Sequence, residues 1–153
     1  IDGFLNAGGF GITYLARDSL DRRVVVKECF PSSFCRRSGT VVAPRTRQRE
    51  EDFRSVVRLF VQEAMTLSRL QHENIVKVHQ VFEDNDTAYM AMEYIDGPDL
   101  LETVEGTAPA LTPDQIRTIL DQMLGAVAHV HAEGVLHRDI SPDNILLDRN
   151  TGR

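Results

Sequence analysis

Apolar and polar residues alternate along the first thirty positions of the chain. Residues 4–17 (FLNAGGFGITYLAR) place a cluster of glycines between two apolar pieces, and Phe10, Ile12 and Tyr14 alternate with smaller or polar residues. A period of two is that of a β-strand. After a polar turn, the β-branched segment 24–30 (VVVKECF) has the composition of a further strand. The pattern therefore predicts strand, turn, strand and strand.

The middle of the chain changes to a helical period. From about Glu50 the sequence becomes helical in character, and residues 52–70 carry apolar side chains at three- and four-residue steps, which form one face of a helix. Residues 74–95 then predict two antiparallel strands around a polar turn at Asp84–Asp86. The segment 96–99 (DGPD) breaks the pattern and is predicted to link two lobes.

A second helix has clearer boundaries. Thr112 is a suitable N-cap, Gln115 completes a capping-box pattern with it, and Gly134 is a natural stop. Strand-like segments follow at residues 135–139 (VLHRD) and 144–148 (NILLD). They flank a polar loop.

Composition narrows the class of protein. The chain has 153 residues, of which 42% are hydrophobic and 26% charged, as in a soluble globular domain. Its net charge of −6 gives no reason to expect nucleic acid as a partner, and no apolar run reaches the length of a membrane span. Cys29 and Cys35 lack the spacing of a zinc site, so we expect free thiols in a reducing, cytoplasmic location. A membrane tether outside this chain is compatible with that expectation.

Three residue types appear in an order that suggests phosphate chemistry. Gly8, Gly9 and Gly11 allow the backbone to approach phosphate oxygens without a Cβ in the way. A dinucleotide-binding turn would need a helix directly after these glycines, whereas here a strand follows. Lys27 alone would be read as a strand residue covering apolar surface, and Glu63 alone as a solvated helix residue. Their order after the glycines makes them candidates for a phosphate contact and its partner.

The polar loop at residues 137–144 (HRDISPDN) is the strongest candidate for catalysis. Asp139 can accept a proton from an attacking hydroxyl, and Asn144 can hold a divalent cation through its amide oxygen. A type I turn rich in Asp, Pro and Asn would need no function. The His-Arg pair before Asp139 and the apolar segment after Asn144 favour the catalytic interpretation.

Several motifs in a fixed order resemble those of the eukaryotic-like protein kinases, and in particular the bacterial Ser/Thr branch. They cover essentially the whole chain: LNAGGFGITYLA, VVVK, FVQEA, HENIVKV, YMAMEYIDG and HRDISPDNILL. The resemblance implies an α+β, protein-kinase-like fold. Residues 1–95 would form the N-lobe, an antiparallel sheet with one main helix, and residues 96–153 would form the start of a helical C-lobe, up to just past the catalytic loop.

The same resemblance implies a reaction and a set of residues for it. The protein would transfer the γ-phosphate of ATP, with Mg²⁺, to a Ser or Thr hydroxyl of a protein substrate. Asp139 would be the base and Asn144 a metal ligand, while Lys27 would contact the α- and β-phosphates and pair with Glu63. Ser141 could hydrogen-bond a phosphate or a substrate hydroxyl.

The nucleotide would lie among residues that the family motifs place around it. Phe10 would form the tip of the glycine loop, Met92 would be the gatekeeper, and Asp99 would approach the ribose. The backbone of Glu93 and Ile95 would bond the adenine. The full set comprises Leu5, Gly8, Gly9, Phe10, Gly11, Thr13, Val25, Lys27, Met92, Glu93, Ile95, Asp99 and Leu146.

The chain departs from the family pattern at three places. Asn6 replaces the first glycine of the loop, Ser141 replaces a lysine, and the chain stops at Arg153 before the metal-binding Asp of the DFG motif. Since the chain begins at Ile1 without a methionine, we expect both ends to be cut. This portion alone is expected to be inactive, and the intact protein to be a kinase. A pseudokinase that acts as a nucleotide-binding scaffold is the main alternative, and a small-molecule phosphotransferase ranks last.

Arginines are concentrated between the lysine strand and the first helix. They are Arg36, Arg37, Arg45, Arg47 and Arg49. A solvated loop is the favoured interpretation of such a charged run, and a docking surface for an acidic or phosphorylated segment is the alternative.

Overall fold

A computed structural model describes residues 1–9, 11–136 and 140–152, which fall into two compact units. The first unit comprises residues 1–69 and 77–94. The second comprises residues 70–76 together with the described residues from 95 onward.

The described residues of the first unit form seven strands, all paired antiparallel. Five form one sheet in the order β1-β2-β3-β7-β6, and β4 pairs with β5 as a separate hairpin. The strands predicted before residue 30 and after residue 74 are confirmed. Their bounds are β1 Gly3–Ala7, β2 Gly11–Arg17, β3 Arg23–Cys29, β4 Cys35–Ser38, β5 Val41–Pro44, β6 Val78–Asp84 and β7 Thr87–Glu93.

The long helix α1, Glu50–Leu67, begins where the sequence predicted it and packs against the sheet. Acidic residues occupy its first turn, where they oppose the positive end of the helix dipole. In its second half, Ala64 is buried together with Val78 of β6 and Met90 of β7. Burial of this apolar face holds α1 on the sheet.

The sequence did not predict the β4–β5 hairpin. It forms the centre of residues 30–46, which we call the insert. Gly39 has a φ of +64°, a left-handed conformation that glycine adopts at low cost, and it makes the tight turn between the two strands. Val42 of β5 is fully buried and clusters with Cys35 of β4 and Phe53 of α1. The insert is therefore packed on the first unit by an apolar contact of its own.

A buried carboxylate joins the insert to the sheet. Glu28 on β3 is 1% exposed and accepts hydrogen bonds from three donors. Tyr14 of β2 donates its hydroxyl over 2.8 Å, Tyr89 of β7 over 3.0 Å, and Arg37 of β4 its guanidinium over 2.5 Å. A carboxylate removed from water is stable only with such partners. The cluster thus ties four strands together through one side chain.

Arginines in the insert and just after it make contacts within the first unit. The Arg37 guanidinium lies 5.1 Å from the centre of the Phe30 ring, and Arg49 lies 5.2 Å from that of Phe34. Arg45 donates its Nε to the Ser32 carbonyl over 2.8 Å. Aromatic faces and a carbonyl group of the same unit bind these three arginines. The prediction of a loop was wrong for Arg36 and Arg37, which lie on β4, but all five arginines are exposed to solvent as predicted.

The described part of the second unit has two α-helices, α2 Leu100–Val104 and α3 Pro113–Ala132. The capping box predicted at Thr112 and Gln115 is present, since the side chain of each residue accepts a hydrogen bond from the backbone N–H of the other. Gly134 follows α3 with a φ of +73°. The sequence did not predict α2, although Asp99 and Glu102 form a second capping box at its start. Five residues are too few to show a helical period.

Residues 96–99 run beside the segment that follows the polar loop. Leu147 donates its N–H to the Pro98 carbonyl and Arg149 donates to the Asp96 carbonyl, each over 2.9 Å. The strand predicted at residues 144–148 is not formed; this segment has one isolated β-bridge, between Asp99 and Leu146.

We predict that Gly97→Ala destabilises the protein. A Cβ added to Gly97 would lie 1.8 Å from the carbonyl oxygen of Leu147, so one backbone segment would have to move. We expect a loss of about 1–3 kcal/mol in the free energy of unfolding, measured by urea denaturation. Gly125→Ala is the matched control: its Cβ would meet only His72 at 3.8 Å, and the change should be neutral or stabilise α3 by up to about 1 kcal/mol. Equal stability of both variants would contradict this account.

We also predict that the protein loses stability in alkaline solution through Tyr14. Burial, followed by the hydrogen bond to Glu28 and its charge, raises the pKa of Tyr14 from 10.0 to about 12. A pKa raised in the folded state gives stability that is complete below pH 10 and is lost as the pH rises through about 12. Tyr14→Phe should flatten the fall in unfolding free energy between these values. The same slope in both proteins would show that this hydroxyl is not held by Glu28.

Candidate functional site

The turn that carries Gly8, Gly9 and Gly11, which we call the glycine turn, connects β1 to β2. The Gly8 N–H donates to the Gly11 carbonyl across this turn over 2.9 Å. A Cβ on Gly8 or Gly9 would meet nothing within 4 Å, so both face open space. At Gly11, in contrast, a Cβ would lie 2.8 Å from the Glu28 carbonyl oxygen and 3.4 Å from Cε of Lys27. The absence of a Cβ at Gly11 therefore allows the backbone of Glu28 to approach closely, and the Lys27 stem lies beside Gly11 at ordinary contact distance. Phe10 lies outside the described residues.

Asn6, which stands where the family has a glycine, lies within β1. It pairs with Thr13 just after a break in register between Phe4 and Asn6. Among the described residues, positive φ angles outside glycine occur only at Asp21, Asn85 and Asp86. Asn6 therefore keeps an ordinary strand conformation, and its tolerance of left-handed backbone is not used.

Lys27 lies on β3 between Thr13 of β2 and Met90 of β7, and its side chain is exposed. Glu63 lies on α1 and is also exposed. Both residues are described, and no salt bridge joins them. The structure thus brings Lys27 to the glycine turn, but the predicted pair with Glu63 is not formed in it.

The next predicted nucleotide contacts lie along β3 and β7. Val25 pairs directly with Met92, and both are half-buried. The Glu93 N–H donates to the Lys77 carbonyl over 2.9 Å. Only the carbonyl of Glu93 is then left for the adenine contact predicted for its backbone. Leu5 on β1 is 48% exposed, which leaves it free to cover a flat apolar ring.

Three further nucleotide contacts were predicted in the second unit. Asp99 and Leu146 form the isolated bridge described above, so the structure does bring these two residues together. The Asp99 carboxylate accepts a hydrogen bond from the Glu102 N–H over 2.7 Å and thereby caps α2. One oxygen of Asp99 thus has a structural role besides any contact with a ribose. Ile95, at which the chain re-enters this unit, is half-buried.

The polar loop is described from Ile140 onward, so Asp139, with His137 and Arg138, lies outside the described residues. Pro142–Asn144 form a short 3₁₀ helix. Ser141 donates its hydroxyl to the Asp143 carboxylate and accepts a hydrogen bond from the Asn144 amide nitrogen over 3.1 Å. Ser141 therefore organises the loop locally, and the amide nitrogen of Asn144 is turned toward it.

Glu28, the residue that follows the lysine, was not among the predicted site residues. The signal was present in the alternation along β3: Val24, Val26 and Glu28 share one face of the strand, whereas Lys27 lies on the other. A charged residue in the position of a core residue requires a partner of opposite charge. Because the sequence pattern predicts a loop at Arg37, it does not indicate this arginine as the partner of Glu28.

Cys29 and Cys35 are free, as predicted, and both are buried, which the sequence did not predict. Burial raises the pKa of Cys29 to about 11 and raises that of Cys35 as well. Thiols with such pKa values are poor nucleophiles at neutral pH. Within the described residues, no helix is long and apolar enough to cross a membrane.

Comparison with known proteins gives a consistent result. The model of the protein kinase domain family matches residues 4–153. Serine/threonine-protein kinase PrkC of Bacillus subtilis is 34% identical over 145 residues, which cover 94% of this chain and 20% of that protein. Serine/threonine-protein kinase D of Synechocystis is 32% identical over 148 residues, or 94% of this chain and 26% of that protein.

Solved structures show the same likeness. The apo form of PpkA-294 superposes with a TM-score of 0.87 at 33% identity, covering 96% of this chain and 53% of the other. Rad53 in complex with AMP-PNP gives a TM-score of 0.72 at 26% identity, with 98% and 34% covered. The chain spans about a quarter or less of the two bacterial relatives. With almost every residue inside the matched region, the chain belongs to the protein kinase domain family.

Proposed function

We propose that the intact protein is a Ser/Thr protein kinase that transfers the γ-phosphate of ATP to a protein hydroxyl. The observation that carries this proposal is the contact between Lys27 and the glycine turn, where Cε of Lys27 lies 3.4 Å from the position that a Cβ on Gly11 would take. It puts a cation beside open backbone that can approach phosphate oxygens. The two bacterial relatives are named serine/threonine-protein kinases, which supports the same reaction.

In this proposal the first unit acts as the N-lobe of a kinase and binds ATP. Gly8 and Gly9 cover the phosphates with backbone, and Lys27 holds the α- and β-phosphates. Val25 and Met92 provide an apolar surface for the adenine. The named complex of Rad53 with AMP-PNP supports nucleotide binding at this fold.

The remaining steps belong to the loop of the second unit, which corresponds to the first part of the C-lobe. Asp139 accepts the proton of the attacking hydroxyl. Asn144 offers the kind of oxygen ligand that Mg²⁺ prefers, with its amide nitrogen already donated to Ser141. When bound, Mg²⁺ neutralises charge on the phosphates. Ser141 keeps Asn144 and Asp143 in position and brings no charge of its own.

We also propose a cytoplasmic location for this portion. Cys29 and Cys35 are both free although both are buried in the same unit. Free cysteines are typical of reducing compartments.

A nucleotide-binding scaffold without transferase activity is the second candidate. It is favoured by the missing salt bridge between the described residues Lys27 and Glu63, since a phosphate clamp depends on that pair. Binding of AMP-PNP by an intact protein that transfers no phosphate would select this candidate over the kinase.

We predict that Lys27→Met in the intact protein lowers kcat/KM at least about 100-fold, because the variant loses its charge beside the phosphates. The side chain is exposed, so the thermal stability should stay unchanged. Transfer of radiolabelled phosphate measures the effect. Lys77→Met is the control, since the chain contains no other lysine. Undiminished autophosphorylation in Lys27→Met would show that the phosphate contact is assigned to the wrong residue.

We predict that Asn144→Ala raises the Mg²⁺ concentration needed for half-maximal activity by on the order of tenfold or more, because the loop loses an oxygen ligand. A titration of activity with Mg²⁺ at saturating ATP measures this. Asn150→Ala is the control, because Asn150 lies in a turn closed by Asp148, after the loop. An unchanged Mg²⁺ requirement in Asn144→Ala would remove Asn144 from the metal site.

A further inference from the structure

The insert contacts the glycine turn directly. The Ser32 N–H donates to the Gly9 carbonyl over 3.2 Å, and the Ser32 carbonyl in turn accepts from the Arg45 guanidinium over 2.8 Å. Ser32 lies in a β-turn closed by a hydrogen bond of 2.8 Å from the Phe34 N–H to the Pro31 carbonyl. The turn thus presents its N–H to the glycine turn in a fixed orientation.

The insert also holds the lysine strand, one residue away from Lys27. Consecutive residues of a strand point to opposite faces, so Lys27 is exposed while Glu28 is buried. The Glu28 carboxylate is paired with Arg37 of the insert and bonded to Tyr14 and Tyr89. Because the pair fixes Glu28 relative to its neighbours, it also fixes the backbone from which the Lys27 side chain extends.

A third contact connects the insert to the helix that carries Glu63. Phe53 of α1 packs on Cys35 and Val42, and the Val42 N–H donates to the Asn85 carbonyl in the turn between β6 and β7 over 2.9 Å. The insert therefore touches the glycine turn, the lysine strand and the glutamate helix at once. These three elements carry the groups proposed to hold the phosphates.

Among these contacts, the one between Arg37 and Glu28 is the strongest. It joins opposite charges at a site where Glu28 is 1% exposed, whereas the others are single backbone hydrogen bonds or apolar contacts. The Arg37 guanidinium also meets the Tyr14 hydroxyl and the Thr40 carbonyl, each over 3.4 Å. Removal of Arg37 would leave a carboxylate in the interior without its cation.

We propose that the insert is a positioning element for ATP phosphates, in which Arg37 acts through Glu28 on Lys27 and Ser32 acts on the glycine turn through Gly9. This inference rests on the proposed function. Arg37 and Ser32 are positioning residues: neither is required to touch the nucleotide. Their loss should weaken binding of the phosphates and leave binding of the nucleoside part unchanged.

The test compares two ligands on the intact protein at a fixed Mg²⁺ concentration. AMP-PNP carries phosphates and adenosine does not, so the ratio of their dissociation constants isolates the phosphate contribution. In Arg37→Met we expect AMP-PNP to bind about tenfold more weakly and adenosine to bind as in the wild type. Arg37→Lys, which keeps the charge, should recover most of the loss. Arg36→Met is the matched control, one residue earlier on β4 and exposed.

Kinetics separate positioning from a loss of folded protein. Partial unfolding lowers kcat by the inactive fraction and leaves KM for ATP unchanged. The proposal instead requires a higher KM for ATP with an unchanged KM for the protein substrate. A loss in kcat alone, or equal weakening of AMP-PNP and adenosine, would overturn it.

A second variant keeps the proposal testable should Arg37→Met fail to fold. Ser32→Pro removes the N–H that donates to the Gly9 carbonyl and puts a ring carbon in its place, and proline suits the second position of a β-turn. We expect the dissociation constant of AMP-PNP to rise roughly threefold to tenfold, which corresponds to the loss of one hydrogen bond. An unchanged AMP-PNP affinity in Ser32→Pro would contradict the role of the glycine contact.

The wild-type protein is measured first. Failure to bind AMP-PNP more tightly than adenosine would overturn the proposed phosphate site and this inference together. Normal wild-type binding with unchanged ratios in both Arg37→Met and Ser32→Pro would overturn the inference alone.

Discussion

A carboxylate that is removed from water needs hydrogen-bond donors and positive charge around it, and Glu28 imposes this requirement on the first unit. Leaving such a group without its charged partner costs about 3–5 kcal/mol, a large part of the stability of a small domain. The donors come from β2, β7 and β4, that is, from both neighbours of β3 and from the hairpin. The arrangement of these strands is consequently set by a polar cluster as much as by apolar packing.

The position of this cluster matters because the two faces of β3 have different functions. The face with Glu28 is buried and stabilises the unit. The face with Lys27 is open to solvent and lies beside Gly11. A rigid inner face allows the outer side chain to be placed accurately, which charged ligands such as phosphates require. Lys27 and Glu63 are both exposed, and no salt bridge joins these two described residues.

Local signals explain which features the sequence could predict. The glycine turn, the lysine strand and the capping box at Thr112 depend on residues close together in the chain, and these were predicted correctly. The hairpin of the insert was missed because its strands have four residues each, and arginine made them look solvated. The role of Glu28 depends on Tyr89, which lies 61 positions further along the chain, and no local pattern reports a contact of that kind. The position of Asp139, the proposed base, lies outside the described residues and rests on the family motif alone.

The dependence of Glu28 on Arg37 has an evolutionary meaning. Loss of Arg37 alone leaves the Glu28 charge buried without its partner. Replacement of both residues by apolar residues of similar volume is often tolerated. Glu28 and the β4–β5 hairpin are therefore expected to be gained or lost together during divergence. A descendant without the hairpin would carry an uncharged residue after the lysine, and the pair of positions can serve as a marker that separates lineages with the hairpin from those without it.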